Sequence, residues 1–369
     1  MTGSPFSALD GAVGDPVAEH YGNPVVEQRR LVAGTAVVDL SDRGVVSVTG
    51  ADRLTWLDSL TTQAVATLAP GVGTELLQLD PNGHVELAAH LIDDGETAWL
   101  LTETPAEWVA WLQRMRFRMR VEVADRGDEF ATLGTFGAAL DGRAAEANGV
   151  PLVWVDPWSA PTGHTYATAQ PHPGEEWTYR EVLVPRTALA EYTDLPVAGT
   201  LALEALRIAA WRPRFGREVD ERTIPHELDW LRTAVSLGKG CYRGQETIAK
   251  VHNLGHPPRR LVMLHLDGSD AVLPPSGAEV EFGGDVAGRV TSSALHHELG
   301  PIALAVVKRR TDPAATLGVR VDDTVVAAAQ EVAVPDDAGA TVEVPRMPRS
   351  LARRAAAAAA ARPADPPVE

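Results

Sequence analysis

Three β-prone runs predicted over Thr74–Leu79, His84–Ile92 and Thr97–Thr102 are separated only by Pro81-Asn82-Gly83 and Asp93-Asp94-Gly95. Turns this short join antiparallel neighbours, whereas parallel strands need a crossover of about a dozen residues or more. The chain is therefore committed early to an antiparallel meander. Helical periodicity surrounds it: a short helix is predicted over Pro24–Gly34 and an amphipathic one over Ala51–Thr62, after a strand at Val45–Val48. Pro105 opens a further helix with Trp108, Trp111 and Leu112, and Arg118–Val123 is predicted to return as a strand. This mixed order predicts an α+β body, not a doubly wound parallel sheet.

In the second half, strands are predicted near Leu152–Val155 and Thr178–Val184, and a strong helix over Leu201–Trp211 that Pro213 stops. From Arg260 onward, runs predicted over Leu261–Leu266, Glu279–Phe282, Ala287–Thr291, Ile302–Val307 and Val325–Val334 recur with glycine turns, the spacing of a small β-barrel. The expected division is a flexible start at 1–20, a body over 21–256, a barrel over 257–335 and a frayed or disordered Ala/Pro-rich tail over 336–369 containing Ala355–Ala361.

With 45% apolar and 22% charged residues, a 369-residue chain can bury a sizeable core. The formal net charge of −17 argues against broad binding to nucleic acid or anionic membrane, both of which rely on basic neutralisation. Neither a basic start with an apolar run nor a membrane-length apolar stretch occurs, so a cytosolic monomer is expected. One stretch opposes the overall charge: Glu204 to Arg260 holds eleven Lys/Arg against seven Asp/Glu, a difference of +4. Such a patch suits a compact anion, or else its charges pair among themselves.

The only cysteine, Cys241, lies in Lys239-Gly240-Cys241-Tyr242-Arg243-Gly244-Gln245-Glu246, and two of the three lysines, Lys239 and Lys250, flank it. One cysteine excludes an internal disulfide and cannot by itself bind an iron-sulfur cluster. Gly240 and Gly244 allow a tight turn into a helix predicted from Gln245 to Val251. A thiol at that turn, beside Lys239 and Arg243, would have its thiolate favoured; the alternative is a small buried hydrophobe. Trp211, next to the basic stretch, could stack on a flat heterocycle. His252 and His256 have metal-pair spacing, but Gly255, Pro257 and Pro258 oppose the continuous helix that such a pair requires.

The octet, with Phe215-Gly216, Asp220-Glu221-Arg222-Thr223-Ile224-Pro225, Gly255 and Arg259-Arg260, resembles the signature of the YgfZ family, folate-binding relatives of the glycine cleavage T-protein and of mitochondrial iron-sulfur assembly factors. The resemblance covers about residues 20 to 335. It implies a multi-part T-protein/YgfZ-like body around a central folate channel, followed by a small C-terminal β-barrel. It also implies a tetrahydrofolate derivative as cofactor and a role as accessory protein for iron-sulfur enzymes or assembly proteins, including enzymes that modify tRNA. Cys241 and Lys239 would be the reactive pair, with Glu86, Arg207, Trp211, Arg214, Tyr242, Gln245 and Glu246 toward the folate, and the Arg207, Arg212, Arg214 and Arg217 cluster at its glutamate tail. The rival implied activity is a tetrahydrofolate-dependent aminomethyltransferase or demethylase. Two departures bear on it: Glu86 stands where T-proteins carry an aspartate, and Ala209 where they carry a glutamate.

Overall fold

The computed structural model describes residues 3–270 and 272–342, so Ala355–Ala361 lies outside the described residues. The predicted meander forms one five-stranded sheet in the order Gly73–Leu79, Val85–Asp93, Thr97–Thr102, Gly44–Thr49 and Glu122–Asp125, all antiparallel. Side chains alternate across it as a period of two requires. Val46, Val48, Leu91 and Leu100 face the helices Arg53–Leu60 and Pro105–Met115 through Trp56, Leu57, Trp108 and Leu112. Val45, Ile92 and Leu101 face the other way and join Leu40, Trp154, Tyr179 and Leu183 of the second sheet region. That second sheet runs Val153–Val155, Arg180–Pro185, Phe130–Thr135, Val37–Asp39 and Val197–Ala198, with only the last pair parallel.

The C-terminal strands close into a six-stranded barrel in the order Arg259–Leu266, Gly300–Lys308, Asp285–His296, Glu279–Phe282, Thr316–Val321 and Thr324–Val332. Thr316–Val321 was not among the predicted runs. Its alternation is carried only by Leu317 and Val319, which are buried, between small or charged neighbours.

Helix Thr200–Ala209 joins these parts. Its buried residues run continuously from Ala202 to Ile208, because the body lies on one side and barrel strand Asp285–His296 on the other. The helix ends before Trp211, whose φ of 56° is left-handed. An L-residue there costs on the order of 1–2 kcal/mol, which core packing must offset. Trp211 is buried beside Ala205, Ile208 and Trp230, and the bend at it directs Arg212 and Arg214 inward.

One expectation changes. Residues 1–20 are not a loose start where described: Phe6 is fully buried with Val37, Leu133 and Val182, Ser4 donates to Asp39, and Ala12–Val13 pairs with His20–Tyr21. One aromatic ring supplies enough apolar area to dock a short segment. The helix from Pro105 ends at Met115, between Arg114 and Arg116, so Arg114, Arg116, Arg118 and Arg120 do not share a strand face. Phe6→Ala is expected to destabilise the folded chain by about 3–5 kcal/mol, read from denaturant unfolding; a change below about 1 kcal/mol would show that the segment is not part of the core.

Candidate functional site

A cleft lies where the two sheets meet helix Thr200–Ala209. Five carboxylates (Glu75, Glu103, Asp156, Glu181 and Glu204) and four guanidiniums (Arg43, Arg207, Arg212 and Arg214) line it, with Leu101, Phe215 and Trp230 among the apolar walls. About 650 Å³ of space lies within it, counting the part continuous with open solvent.

Charges taken this far from water must be paired. Arg212 bridges Glu75 and Asp156 at 2.9 Å each. Arg207 reaches Glu204 and Glu218 at 2.8 Å each and also donates to Ser292 of the barrel at 2.7 Å. Arg214 holds Glu103 at 2.8 Å and Glu204 at 2.9 Å, and Arg43 holds Glu181 at 2.6 Å. Burial by itself would raise Glu204, but Arg207 and Arg214 outweigh it and hold the carboxyl well below its ordinary range. Glu181 behaves alike: burial opposes ionisation, and His90 and Arg43 pull it down to about 2. The aromatic wall is equally fixed, since the His90 ring stacks parallel on Trp154 at 3.6 Å between centroids.

The residues singled out in the sequence separate into three groups. Arg207 and Arg214 line the cleft, yet both are engaged by glutamates, as is Arg212; the idea of a free arginine cluster for a glutamate tail is corrected accordingly. Arg217 stays half-exposed. Trp211 is core and lies outside the cleft lining, with its indole N–H unpaired. Glu86 shares a face of strand Val85–Asp93 with Ala88 and His90 but sits outside the lining, accepting from Gln78 at 2.8 Å and facing Arg243 at 3.4 Å.

The octet forms its own local structure. Gly244, at φ 83°, precedes helix Gln245–Leu254, and a Cβ on it would lie 2.7 Å from the Asp80 carbonyl and 3.1 Å from Cα of Gly83. The predicted hairpin at Pro81-Asn82-Gly83 thus rests directly on the octet turn, which only glycine permits. Cys241 is exposed and unpaired, not a core residue. Tyr242 is buried, its ring 5.4 Å from the Lys239 ammonium. Gln245 donates to the Lys239 carbonyl at 3.3 Å, and Glu246 stands in the first helical turn. Tyr242, Gln245 and Glu246 are outside the cleft lining.

Lys239 is corrected in role. Its ammonium donates to the carbonyls of Asp58, Thr61 (2.9 Å) and Gln63 (2.8 Å) and lies 3.6 Å from the Asp58 carboxylate. These carbonyls lie in the last turn of helix Arg53–Leu60 and just past it, where a cation is favoured. No hydrogen bond joins it to Cys241 among the described residues. His252 and His256 likewise diverge, to Tyr166 and to the Ala338 carbonyl.

The charged and imidazole cleft residues that sequence reasoning missed are Arg43, Glu75, His90, Glu103, Asp156, Glu181 and Glu204. A partial signal was present: Glu75 and Glu181 are charged residues at buried strand positions followed directly by apolar ones (Leu76-Leu77 and Val182-Leu183-Val184), and His90 stands between Ala88-Ala89 and Leu91-Ile92.

With this geometry in view, residues 259–335 match the glycine cleavage T-protein C-terminal barrel domain. The aminomethyltransferase of Symbiobacterium thermophilum is 29% identical over 318 residues, covering 78% of this chain and 82% of that protein. A chloroplastic protein of Arabidopsis thaliana carrying the name of a transferase is 27% identical over 334 residues, covering 82% and 72%. The crystal structure of the glycine cleavage system aminomethyltransferase T from Bartonella henselae superposes with a TM-score of 0.68 at 17% identity, over 87% of this chain and 91% of that one. The fold is that of a glycine cleavage T-protein. In this T-protein-like chain the barrel is wired to the body through Arg207, Glu218 and Ser292.

Two outcomes follow from the site. Lys239→Met leaves three carbonyls without their donor and is expected to cost about 1–3 kcal/mol of stability, while the alkylation rate of Cys241 stays within about twofold; a large fall in that rate would restore the activating role. For pH, Glu181 has a folded pKa of about 2 against an ordinary 4.5, so the unfolded chain binds more protons between those values. Its contribution is full above pH 4.5 and is lost as pH falls toward 2. Denaturation midpoints measured across this window should fall, and Glu181→Gln should flatten the slope.

Proposed function

We propose that this chain is a folate-binding protein of the aminomethyltransferase kind, acting in tetrahydrofolate-dependent one-carbon transfer. The cleft carries this reading. The amino-pyrimidine edge of a pterin presents two parallel N–H donors, as a guanidinium does, and a carboxylate accepts such a pair with both oxygens. Glu103, which accepts one Arg214 N–H on each oxygen and so keeps a lone pair free on both, offers that acceptor beside the apolar walls of Leu101, Phe215 and Trp230, with Glu204 fixing Arg214 behind it. These residues would hold the ring, and the reduced folate would supply a nucleophilic amine for the transferred carbon. The tail carboxylates are expected outside the cleft, because each lining arginine already has carboxylate partners.

A second reading, an accessory role for iron-sulfur enzymes including those that modify tRNA, is supported by one observation: Cys241 is exposed at a glycine-flanked turn, where a partner could reach it. Loss of iron-sulfur enzyme activity in cells carrying Cys241→Ser, with folate binding retained by the purified variant, would favour it. For the primary reading, calorimetry with tetrahydrofolate should give saturable heat, and Glu103→Gln should weaken binding by about tenfold or more, the worth of a charge-assisted pair. No saturable heat up to millimolar ligand would remove it.

A further inference from the structure

Each carboxylate in the cleft accepts from an arginine: Glu75 and Asp156 from Arg212, Glu103 from Arg214, Glu181 from Arg43, and Glu204 from Arg207 and Arg214. Taking up a proton would break an ion pair that burial makes costly to lose. For Glu75 and Glu103, burial opposes ionisation but the neighbouring arginines prevail, and both are held below the ordinary carboxyl range. The guanidiniums cannot release a proton. Tyr179 donates to Glu181, and burial pushes its phenol well above the ordinary value. One imidazole lines the cleft, and it is that of His90.

Its geometry suits the task. Nδ1 lies 2.7 Å from Glu181, whose other oxygen accepts from Arg43 and from the Tyr179 hydroxyl. An ionised carboxylate can only accept, so Nδ1 bears a hydrogen, and in the neutral imidazole Nε2 presents its lone pair. Nε2 is 3.9 Å from Glu75, beyond hydrogen-bond reach. Trp154 fixes the plane of the ring and is itself tied to the Thr74 carbonyl at 2.7 Å. The charged and titratable groups around His90 are thus Glu75, with Arg212 behind it, and Glu181, with Arg43 and Tyr179 behind it. Nothing in the chain's resemblances assigns His90, and Glu86, two rungs along the same face, lies outside the cleft.

We infer that His90 is the proton-carrying catalytic residue of the cleft, with Nε2 facing the amine of the bound folate. This rests on the folate reading above. As a new carbon–nitrogen bond forms from the nucleophile's lone pair, Nε2 takes the proton that nitrogen sheds. The donor's old carbon–nitrogen bond breaks with its electron pair leaving on the departing amine, and His90 returns the proton there. The imidazole ends as it began, and no oxidant or reductant is needed.

The test is calorimetry of tetrahydrofolate binding to the full chain in phosphate and in Tris between pH 6 and 8, with His90→Gln and His90→Asn alongside and thermal melts to confirm folding. The wild type should exchange a fraction of a proton on binding, seen as buffer-dependent heat. Both variants should bind within about tenfold and lose that dependence. In imidazole-labelled wild-type protein, the His90 Nε2 resonance should also shift on adding tetrahydrofolate. Equal proton exchange in the variants, or an unmoved resonance, overturns the role of His90 and leaves the folate reading standing. Absence of saturable heat in the wild type removes both.

Discussion

Arg212 is the interaction on which the rest of the structure depends. Its guanidinium, nearly sealed from solvent, joins Glu75 of the first sheet to Asp156 just past the second sheet's edge strand, and stacks over Trp158 at 5.1 Å. Asp156 in turn accepts from the Trp177 indole, and Glu75 from Thr233. Such a network adds little net stability over an apolar core of the same volume, since desolvation offsets the Coulombic gain. What it imposes is register: breaking one partner strands another charge at a cost of about 3–5 kcal/mol. The two sheets can therefore meet in only one alignment. Arg207 repeats the device between body and barrel, by way of Glu218 and Ser292.

That constraint explains what was legible in the sequence. The meander could be read because its turns are local, residues 80–84 and 94–96, and strand alternation needs no partner to be seen. The closing barrel was legible for the same reason, except at Thr316–Val321, where two buried residues carry the whole pattern. Phe6 was invisible as a core residue because a lone aromatic near a terminus has no periodicity. The cleft was the least legible part. Its carboxylates at 75, 103, 156, 181 and 204 come from five separate segments, so no spacing connects them. Only a polar residue set beside an apolar pair or triplet within a strand marks Glu75, His90 and Glu181.

The octet shows the opposite failure. Its residues are contiguous, which invited reading Lys239 and Cys241 as one chemical unit. A lysine side chain reaches several ångströms from its backbone, and here its ammonium is taken up by carbonyls some 180 positions earlier in the chain. Neighbours in sequence share a backbone path, not a microenvironment.

The charge of the cleft limits what can enter it. Five lining carboxylates face four guanidiniums, which leaves one negative charge in excess before His90 is counted. Glu218, behind Arg207, adds a second. An anionic group would meet this excess without a free cation to receive it, whereas a ligand edge rich in N–H donors would find acceptors already ionised and aimed. Fixed carboxylates of this kind bind well but make poor proton carriers, because each is committed to an arginine. Recognition and proton transfer must then fall to different residues, and the cleft is built that way, with arginine-locked glutamates on its walls and an imidazole clamped between Trp154 and Glu181.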